Sequence, residues 1–150
     1  MGASFIAYRC VRLAENRDNI AYSAVSRFRC YLLRMCDMKY GTGWEEIYKD
    51  IPMLSDEPYP EWDRMIEEMD GLMWKDHEFN EVVCGTKVFT DHSDCDGSFC
   101  SEDCGFIASA FRALLDTDIV EDEHDRARME QLAEVFEAGA EDDDCEVRIS

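Results

Sequence analysis

The clearest pattern in the first half of the chain is a series of stretches in which apolar residues recur at three- and four-residue steps. That spacing places them on one face of a helix. The first stretch predicts a helix from about 23 to 39, with Gly41 as its stop. The second predicts a short helix over 42–51, which Pro52 ends. Pro60 can begin a third helix at its first position. The apolar stripe of that helix consists of Trp62, Met65, Ile66, Met69, Leu72 and Met73.

The second half of the chain carries two further helical patterns. Ser101 can cap a helix with acidic residues in its first turn, and Ile107, Phe111 and Leu114 then face inward. A final helix is predicted from about 120 to 138. Its expected buried residues are Ala127, Leu132, Val135 and Phe136, and its outer face is mostly acidic.

Two segments carry β signals. Residues 79–90, FNEVVCGTKVFT, are rich in β-branched residues and contain Gly85, so they favour a strand or irregular structure over a helix. The opening segment 3–13 fits either a strand or a short helix. The predicted fold class is therefore mainly α, with four to five helices and a small β element near the N-terminus and residues 80–90.

Length and charge define the domain organisation. A chain of 150 residues suits one compact domain with its own core. We assign that α-rich domain to residues 1–140. The last ten residues, EDDDCEVRIS, are so strongly charged that we predict a flexible acidic tail over 141–150, with Cys145 exposed in it.

Charge is the strongest global signal. The formal net charge is −20, and residues 40–150 hold eight Lys or Arg against 32 Asp or Glu. Such a field repels nucleic acid and membrane surfaces and attracts proteins with a basic surface. Residues 1–39 hold seven basic residues against three acids. Among them Arg27, Arg29 and Arg34 share one predicted helix, where we expect them to pair with acids from elsewhere in the chain.

The segment with candidate chemistry is 91–104, DHSDCDGSFCSEDC. Counted as a twelve-residue calcium loop from His92, it places Asp94, Asp96 and Asp103 at positions 3, 5 and 12, and Gly97 at position 6. Carboxylates this close repel one another unless a cation lies between them. A calcium or magnesium ion would take these three carboxylates and a main-chain oxygen near residue 98.

The same segment also offers soft ligands. His92, Cys95, Cys100 and Cys104 have the spacing H-x2-C-x4-C-x3-C, which suits zinc, with the aspartates as alternative or supporting partners. The alternative without a metal is an Asp-rich turn that caps the following helix. The histidine and the cysteines favour a structural zinc ion over calcium or magnesium.

Motifs of common enzymes are absent from the sequence. It contains no Gly-rich phosphate loop, no G-x-S-x-G and no H-E-x-x-H. Cysteine nucleophile chemistry at Cys95 is opposed by the neighbouring carboxylates, which disfavour a thiolate. No apolar run approaches the length of a membrane span. We therefore expect a non-enzymatic cytoplasmic protein.

Two segments resemble a set of small uncharacterised bacterial and phage proteins. Those proteins pair a Ser/Tyr-rich helix containing R-F-R with an H-S-D-C-D-G loop; here the matching strings are YSAVSRFR at 22–29 and HSDCDG at 92–97. The resemblance implies that His92, Asp94, Asp96 and Cys104 act as a unit. In size and acidity the chain is also similar to phage anti-CRISPR proteins.

The resulting functional hypothesis is an acidic inhibitor or interaction protein, encoded by a phage or mobile element and acting in a bacterial cytoplasm. It would bind a basic protein, such as an RNA-guided nuclease, and block the loading of nucleic acid without binding nucleic acid itself. The alternative is a calcium- or zinc-binding regulatory module with no inhibitor role.

Overall fold

The structure, a computed structural model, describes residues 2–9, 11–15, 19–51, 59–93 and 96–150. Within these ranges the chain is mainly helical, which confirms the predicted fold class. There are six helices: α1 Tyr22–Tyr40, α2 Trp44–Asp50, α3 Pro60–Leu72, α4 His77–Asp91, α5 Ser101–Leu115 and α6 Glu123–Gly139. None of them combines the length and apolar character that crossing a bilayer requires.

Six short strands accompany these helices: β1 Gly2–Ala3, β2 Phe5–Arg9, β3 Val11–Glu15, β4 Ile20–Ala21, β5 Ser98–Cys100 and β6 Glu146–Ile149. β1 and β4 form an antiparallel pair, and the other four form an antiparallel sheet in the order β3-β2-β6-β5. The N-terminal β element was predicted. One partner of β2 is β3, which follows it directly, whereas the other, β6, comes from a distant part of the sequence.

Residues 80–90 form part of helix α4, so the predicted strand is wrong. The Asp76 side chain caps the helix by accepting a hydrogen bond from the Phe79 main-chain nitrogen at 2.9 Å. Gly85 lies against α5, where an added Cβ would be 2.1 Å from the Phe106 carbonyl oxygen. The glycine that suggested a helix break therefore permits close packing of two helices, and the buried Val83 and Phe89 lie on the inward side of α4.

The expectation of a flexible tail over 141–150 is also wrong, because β6 lies between β2 and β5 in the sheet. Val147 and Ile149 are buried and alternate with the more exposed Glu146 and Arg148, which is the pattern of a strand with one covered face. Cys145 is also buried, at 3% exposure. Four consecutive acidic residues occupy 141–144. They dominate the average charge of the segment, so the alternation of apolar and polar residues over 146–149 was overlooked.

The core has two parts. One contains most of the buried aromatic rings, contributed by β2, α1, α4, β5, α5 and α6: Phe5, Phe28, Phe89, Phe99, Phe111 and Phe136. The other packs α1, α2, α3 and α4 around the fully buried Trp44, with Met65 and Met69 from the predicted stripe of α3. One expected core residue, Ala127, is exposed instead.

Arg27 and Arg34 of α1 pair with carboxylates, as expected. Arg27 donates to Asp125 of α6 at 3.1 and 3.2 Å, and Arg34 donates to Glu45 of α2 at 2.6 and 2.9 Å. Arg29 is buried and donates to the main-chain oxygen of His92 at 2.6 Å. This last contact ties α1 to the start of the 91–104 segment.

Candidate functional site

The segment 91–104 connects two helices. α4 ends at Asp91, β5 occupies Ser98–Cys100, and α5 begins at Ser101. Counted from His92, β5 covers positions 7 to 9 of the twelve-residue frame. Because α4 is a helix, the segment has the helix–loop–helix connectivity of a calcium-binding hand, which the predicted strand had argued against.

His92, position 1 of that frame, directs its ring back into the loop. Its Nδ1 is 2.8 Å from the Ser93 main-chain oxygen, and its Nε2 is 3.0 Å from the Ser98 main-chain oxygen. Both ring nitrogens are therefore within hydrogen-bond distance of main-chain oxygens of the same loop.

The ring also packs on the aromatic core. It stacks on Phe99 with ring centroids 3.9 Å apart, and Phe99 in turn makes an edge contact with Phe136 at 5.3 Å. Phe99 is 2% exposed. The loop is therefore attached to the core through an imidazole–phenyl stack.

Gly97 makes room for this ring. Its φ is +98°, a conformation that L side chains rarely adopt. A Cβ at this position would be 3.1 Å from His92 Cε1. Glycine is therefore required both by the backbone and by the imidazole beside it.

The Ser98 carbonyl occupies position 7, the position from which a calcium loop presents a main-chain oxygen to its ion. In this structure that oxygen faces His92 Nε2. A cation bound in the calcium-loop manner would compete with the imidazole for the Ser98 oxygen, so such binding requires the ring to move.

The two described cysteines of the zinc hypothesis lie in different environments. Cys104 is fully buried, with Sγ 3.6 Å from the Phe99 carbonyl oxygen, and burial raises its pKa to about 12. Cys100 is exposed. Zinc binds thiolates, so ligation by Cys104 would have to overcome the cost of ionising a buried thiol.

The carboxylates of the loop are spread out. Asp96 is exposed, whereas Asp103 lines a groove at the start of α5 together with Asp91, His92 and Lys87. Asp94 and Cys95 lie outside the described residues. Among the described residues, no group of three His, Cys, Asp or Glu side chains is placed to hold a metal ion. The metal site of His92, Asp94, Cys95, Asp96, Cys100, Asp103 and Cys104 therefore stays a prediction.

Basic side chains are largely engaged within the molecule. In the described part of the chain, ten Lys and Arg residues lie within salt-bridge distance of a carboxylate. Two more, Arg29 and Arg126, donate to main-chain oxygens. The sequence contains 35 Asp and Glu against 15 Lys and Arg. The negative charge therefore exceeds what the basic side chains could neutralise even if each of them were paired.

Two exposed hydrophobic residues were not singled out from the sequence. Trp74 is 89% exposed in the turn after α3, and Met38 is 70% exposed near the end of α1. Each of them follows directly on the apolar stripe of a helix. The apolar spacing alone therefore does not distinguish them from buried residues of that stripe.

Comparison of the chain with protein-family models, with curated proteins and with solved structures gives no match.

Proposed function

We propose that this protein is a non-enzymatic interaction protein whose acidic surface binds the basic surface of another protein. The observation that carries the proposal is the internal use of the basic side chains, most of which contact a carboxylate or a main-chain oxygen of the same chain. The remaining carboxylates project a negative field that attracts a positively charged partner and repels nucleic acid.

Two acidic faces are the candidate contacts. The α6 acidic face consists of the exposed Glu123, Glu130, Glu134 and Glu137, and Glu137 also pairs with Arg112. The α3 acidic face consists of the exposed Asp63, Glu67 and Asp70, and Asp70 also pairs with Lys87. Both faces lie on regular helices, so the spacing of their charges is fixed before a partner binds.

The partner class that fits best is a protein whose basic surface normally holds DNA or RNA. We propose an RNA-guided nuclease of a bacterium as the target, inhibited in the cytoplasm by a phage or mobile-element protein that occupies its nucleic-acid channel. Competition for positive surface predicts fast association that slows as salt screens the charges.

The test is biolayer interferometry with immobilised RNA-guided nuclease, with and without guide RNA, at low and at near-physiological salt. We expect binding to the nuclease at low salt, weakening as salt is added, and loss of binding when guide RNA or DNA fills the channel. Absence of binding to the nuclease at low salt would contradict the choice of target.

Charge-neutral variants identify the face that binds. Glu130→Gln/Glu134→Gln removes two charges from the α6 acidic face, and Asp63→Asn/Glu67→Gln removes two from the α3 acidic face. Both variants reduce the net negative charge by two, so each is the control for the other. A specific interface predicts that one variant slows association more than the other; equal effects would indicate a response to net charge alone.

A second candidate function is a cation-dependent regulatory module. The observation that favours it is the α4–loop–α5 connectivity with β5 at positions 7 to 9 of the loop. Asp96, Asp103 and the Ser98 carbonyl would hold calcium or magnesium, and the His92 ring would leave the Ser98 oxygen on binding. Zinc, through Cys100 and Cys104 with His92, is the other candidate ion.

Calorimetric titration with Ca²⁺, Mg²⁺ and Zn²⁺ separates these ions. Asp103→Asn should abolish calcium or magnesium binding and leave zinc binding, and Cys104→Ala should do the reverse. Histidine NMR signals should report the displacement of His92 when a cation binds at the Ser98 oxygen. A flat titration with all three ions would exclude the regulatory module.

A further inference from the structure

One side of helix α5 forms the floor of an open groove. On one flank α4 lies so close that an added Cβ on Gly85 would be 2.1 Å from the Phe106 main-chain oxygen. On the other flank the Cβ of Ala140, which follows α6, is 3.8 Å from the position of an added Cβ on Gly105. These two flanks are the walls of a groove of about 540 Å³, which we call the α5 groove.

Small residues line the floor of the α5 groove. Ser101, Gly105 and Ser109 recur at four-residue steps, so they lie along one side of α5. At about 1.5 Å per residue they span about 12 Å, or two turns. Among the described residues outside its own helix, Ala140 is the one that an added Cβ on Gly105 would meet within 4 Å. Another chain can therefore approach the α5 backbone closely at this point.

The charged residues that line the α5 groove are all carboxylates. They are Glu81 of α4, Glu102 in the first turn of α5 and Asp143 in the turn after α6, and all three are exposed. Within the described chain none of them forms a salt bridge or a side-chain hydrogen bond. Three separate elements thus place negative charge on both walls and at one end of the groove. This charge is complementary to a basic segment.

The shape of the α5 groove favours a helix as its occupant. The main-chain hydrogen bonds of α5 are internal to the helix, so the floor offers an extended segment none of the pairing that a free sheet edge would offer. A second helix can instead pack its ridge of side chains along a row of residues four apart. Because the side chains in that row are small, the two helix axes can approach to the short end of the usual range of about 8–10 Å.

We propose that the α5 groove receives a basic amphipathic helix of the partner protein. This inference rests on the proposed function and adds the place and shape of the contact. A row of small residues on the partner helix lies against Gly105, and Lys or Arg side chains on either side of that row reach Glu81 and Asp143. The carboxylates attract the helix, and the floor rejects a helix with bulky side chains along the contact row.

Two labelled peptides of equal composition test this proposal on the full chain. In the first, alanines recur at three- and four-residue steps and form one uncharged row between arginines; in the second, the order is scrambled so that arginines surround the helix. At low salt, fluorescence anisotropy should show the first peptide binding about tenfold more tightly, because its alanines fit the floor while its arginines reach both walls. Circular dichroism should show that it gains helix content, and binding without that gain would overturn the helical occupant.

A substitution in the floor locates the contact. Gly105→Gln fills the groove and should weaken binding of the first peptide by about tenfold or more. It should not lower the urea midpoint, since glutamine favours a helix more than glycine does. Ala127→Gln, which places the same amide on an exposed position of α6, is the matched control and should bind as the wild type does.

Charge-neutral variants compare the walls of the groove with another acidic surface. Glu81→Gln/Asp143→Asn removes one carboxylate from each wall, and Glu130→Gln/Glu134→Gln removes two from the α6 acidic face. Both variants reduce the net negative charge by two. The first should weaken binding of the alanine-row peptide more than the second does.

The outcomes distinguish the two proposals. Equal binding by Gly105→Gln and Ala127→Gln, or equal losses in the two double variants, would overturn the α5 groove and leave the acidic surface as a binder of basic chains. Failure of both peptides to bind at low salt would overturn the proposed function and the α5 groove together.

Discussion

The imidazole ring of His92 stacks on the phenyl ring of Phe99, with centroids 3.9 Å apart and an angle of 28° between the planes. Phe99 belongs to β5 and is buried in the aromatic core, so the stack connects the loop after α4 to the interior. The stability of the loop and that of the core are therefore coupled through this pair.

Replacing His92 by Ala should destabilise the protein. The change removes the stack on Phe99 and both ring hydrogen bonds, so we expect a loss of about 1–3 kcal/mol in the free energy of unfolding. Urea denaturation measures it, with the exposed His77→Ala as the control. Equal midpoints for the two variants would show that the stack contributes nothing to stability.

Gly97→Ala should also destabilise the protein, by about 1–3 kcal/mol, because it forces a side chain into a positive-φ conformation and towards the His92 ring. Gly41→Ala is the comparison, since its φ is +64° but an added Cβ has open space. The difference between the losses of unfolding free energy in Gly97→Ala and Gly41→Ala measures the steric contribution of the His92 ring. In the double variant His92→Ala/Gly97→Ala that difference should disappear, and strict additivity would contradict the proposed contact.

Glu45 should contribute a pH-dependent part of the stability. The hydrogen bonds from Arg34 lower the pKa of this buried carboxyl, against the opposing effect of desolvation. A group with a depressed pKa in the folded state stabilises above its unfolded pKa of about 4.3, and that contribution is lost as pH falls through the folded pKa.

The measurement is the difference in urea midpoint between the wild type and Glu45→Gln. We expect a large difference at neutral pH that shrinks on acidification below about pH 4.3. The control is Glu130→Gln, at an exposed position, which should show a small difference at every pH. A Glu45→Gln difference that stays constant with pH would rule out this linkage.

The cysteines should differ in reactivity. Cys100 is exposed, whereas Cys104 is fully buried and burial raises its pKa to about 12. Iodoacetamide in mildly alkaline buffer should therefore modify Cys100 in the native protein and spare Cys104, as peptide mass spectrometry can show. Urea should make Cys104 reactive; rapid modification of Cys104 without urea would contradict its burial.

Zinc gives the same experiment a second use. If Cys100 is a ligand, added Zn²⁺ should protect it from iodoacetamide, whereas Ca²⁺ should not. Unchanged labelling in the presence of Zn²⁺ would remove Cys100 from the ligand set.

The helices with a long, regular apolar stripe could be predicted from the sequence. α1 lies within one residue of its predicted bounds, α5 begins at Ser101, where the helix was predicted to start, and Pro60 begins α3 as expected. α4 could not be predicted in this way, because Val82, Val83 and Gly85 disfavour a helix locally. The glycine is instead required by the close contact of α4 with α5, and that contact is not a local property.

β6 was missed for a different reason. Residues 141–144 made the whole terminal segment look too charged to fold, although Val147 and Ile149 alternate with polar neighbours. The strand is stabilised by β2 and β5, which are far away in the sequence. An alternation over only four residues does not predict a strand unless the partner strands are known.

The loop itself was identified by its spacing, including the special position of Gly97. The direction of the His92 ring was not, since the same histidine could turn towards an ion or towards the loop. The Phe99 ring on one side and the Ser93 and Ser98 oxygens at either nitrogen determine that direction. Those are tertiary contacts that spacing does not encode.

The position of β6 also bears on the order of events during synthesis. β2 is translated early, yet its partner strand β6 spans residues 146–149, and the register pairs Phe5 with Ile149. On the ribosome β2 must wait for almost the entire described chain to emerge before the central pairing of the sheet can form. The β2–β6 pairing is therefore a contact of high sequence separation, and pairings of that kind form slowly.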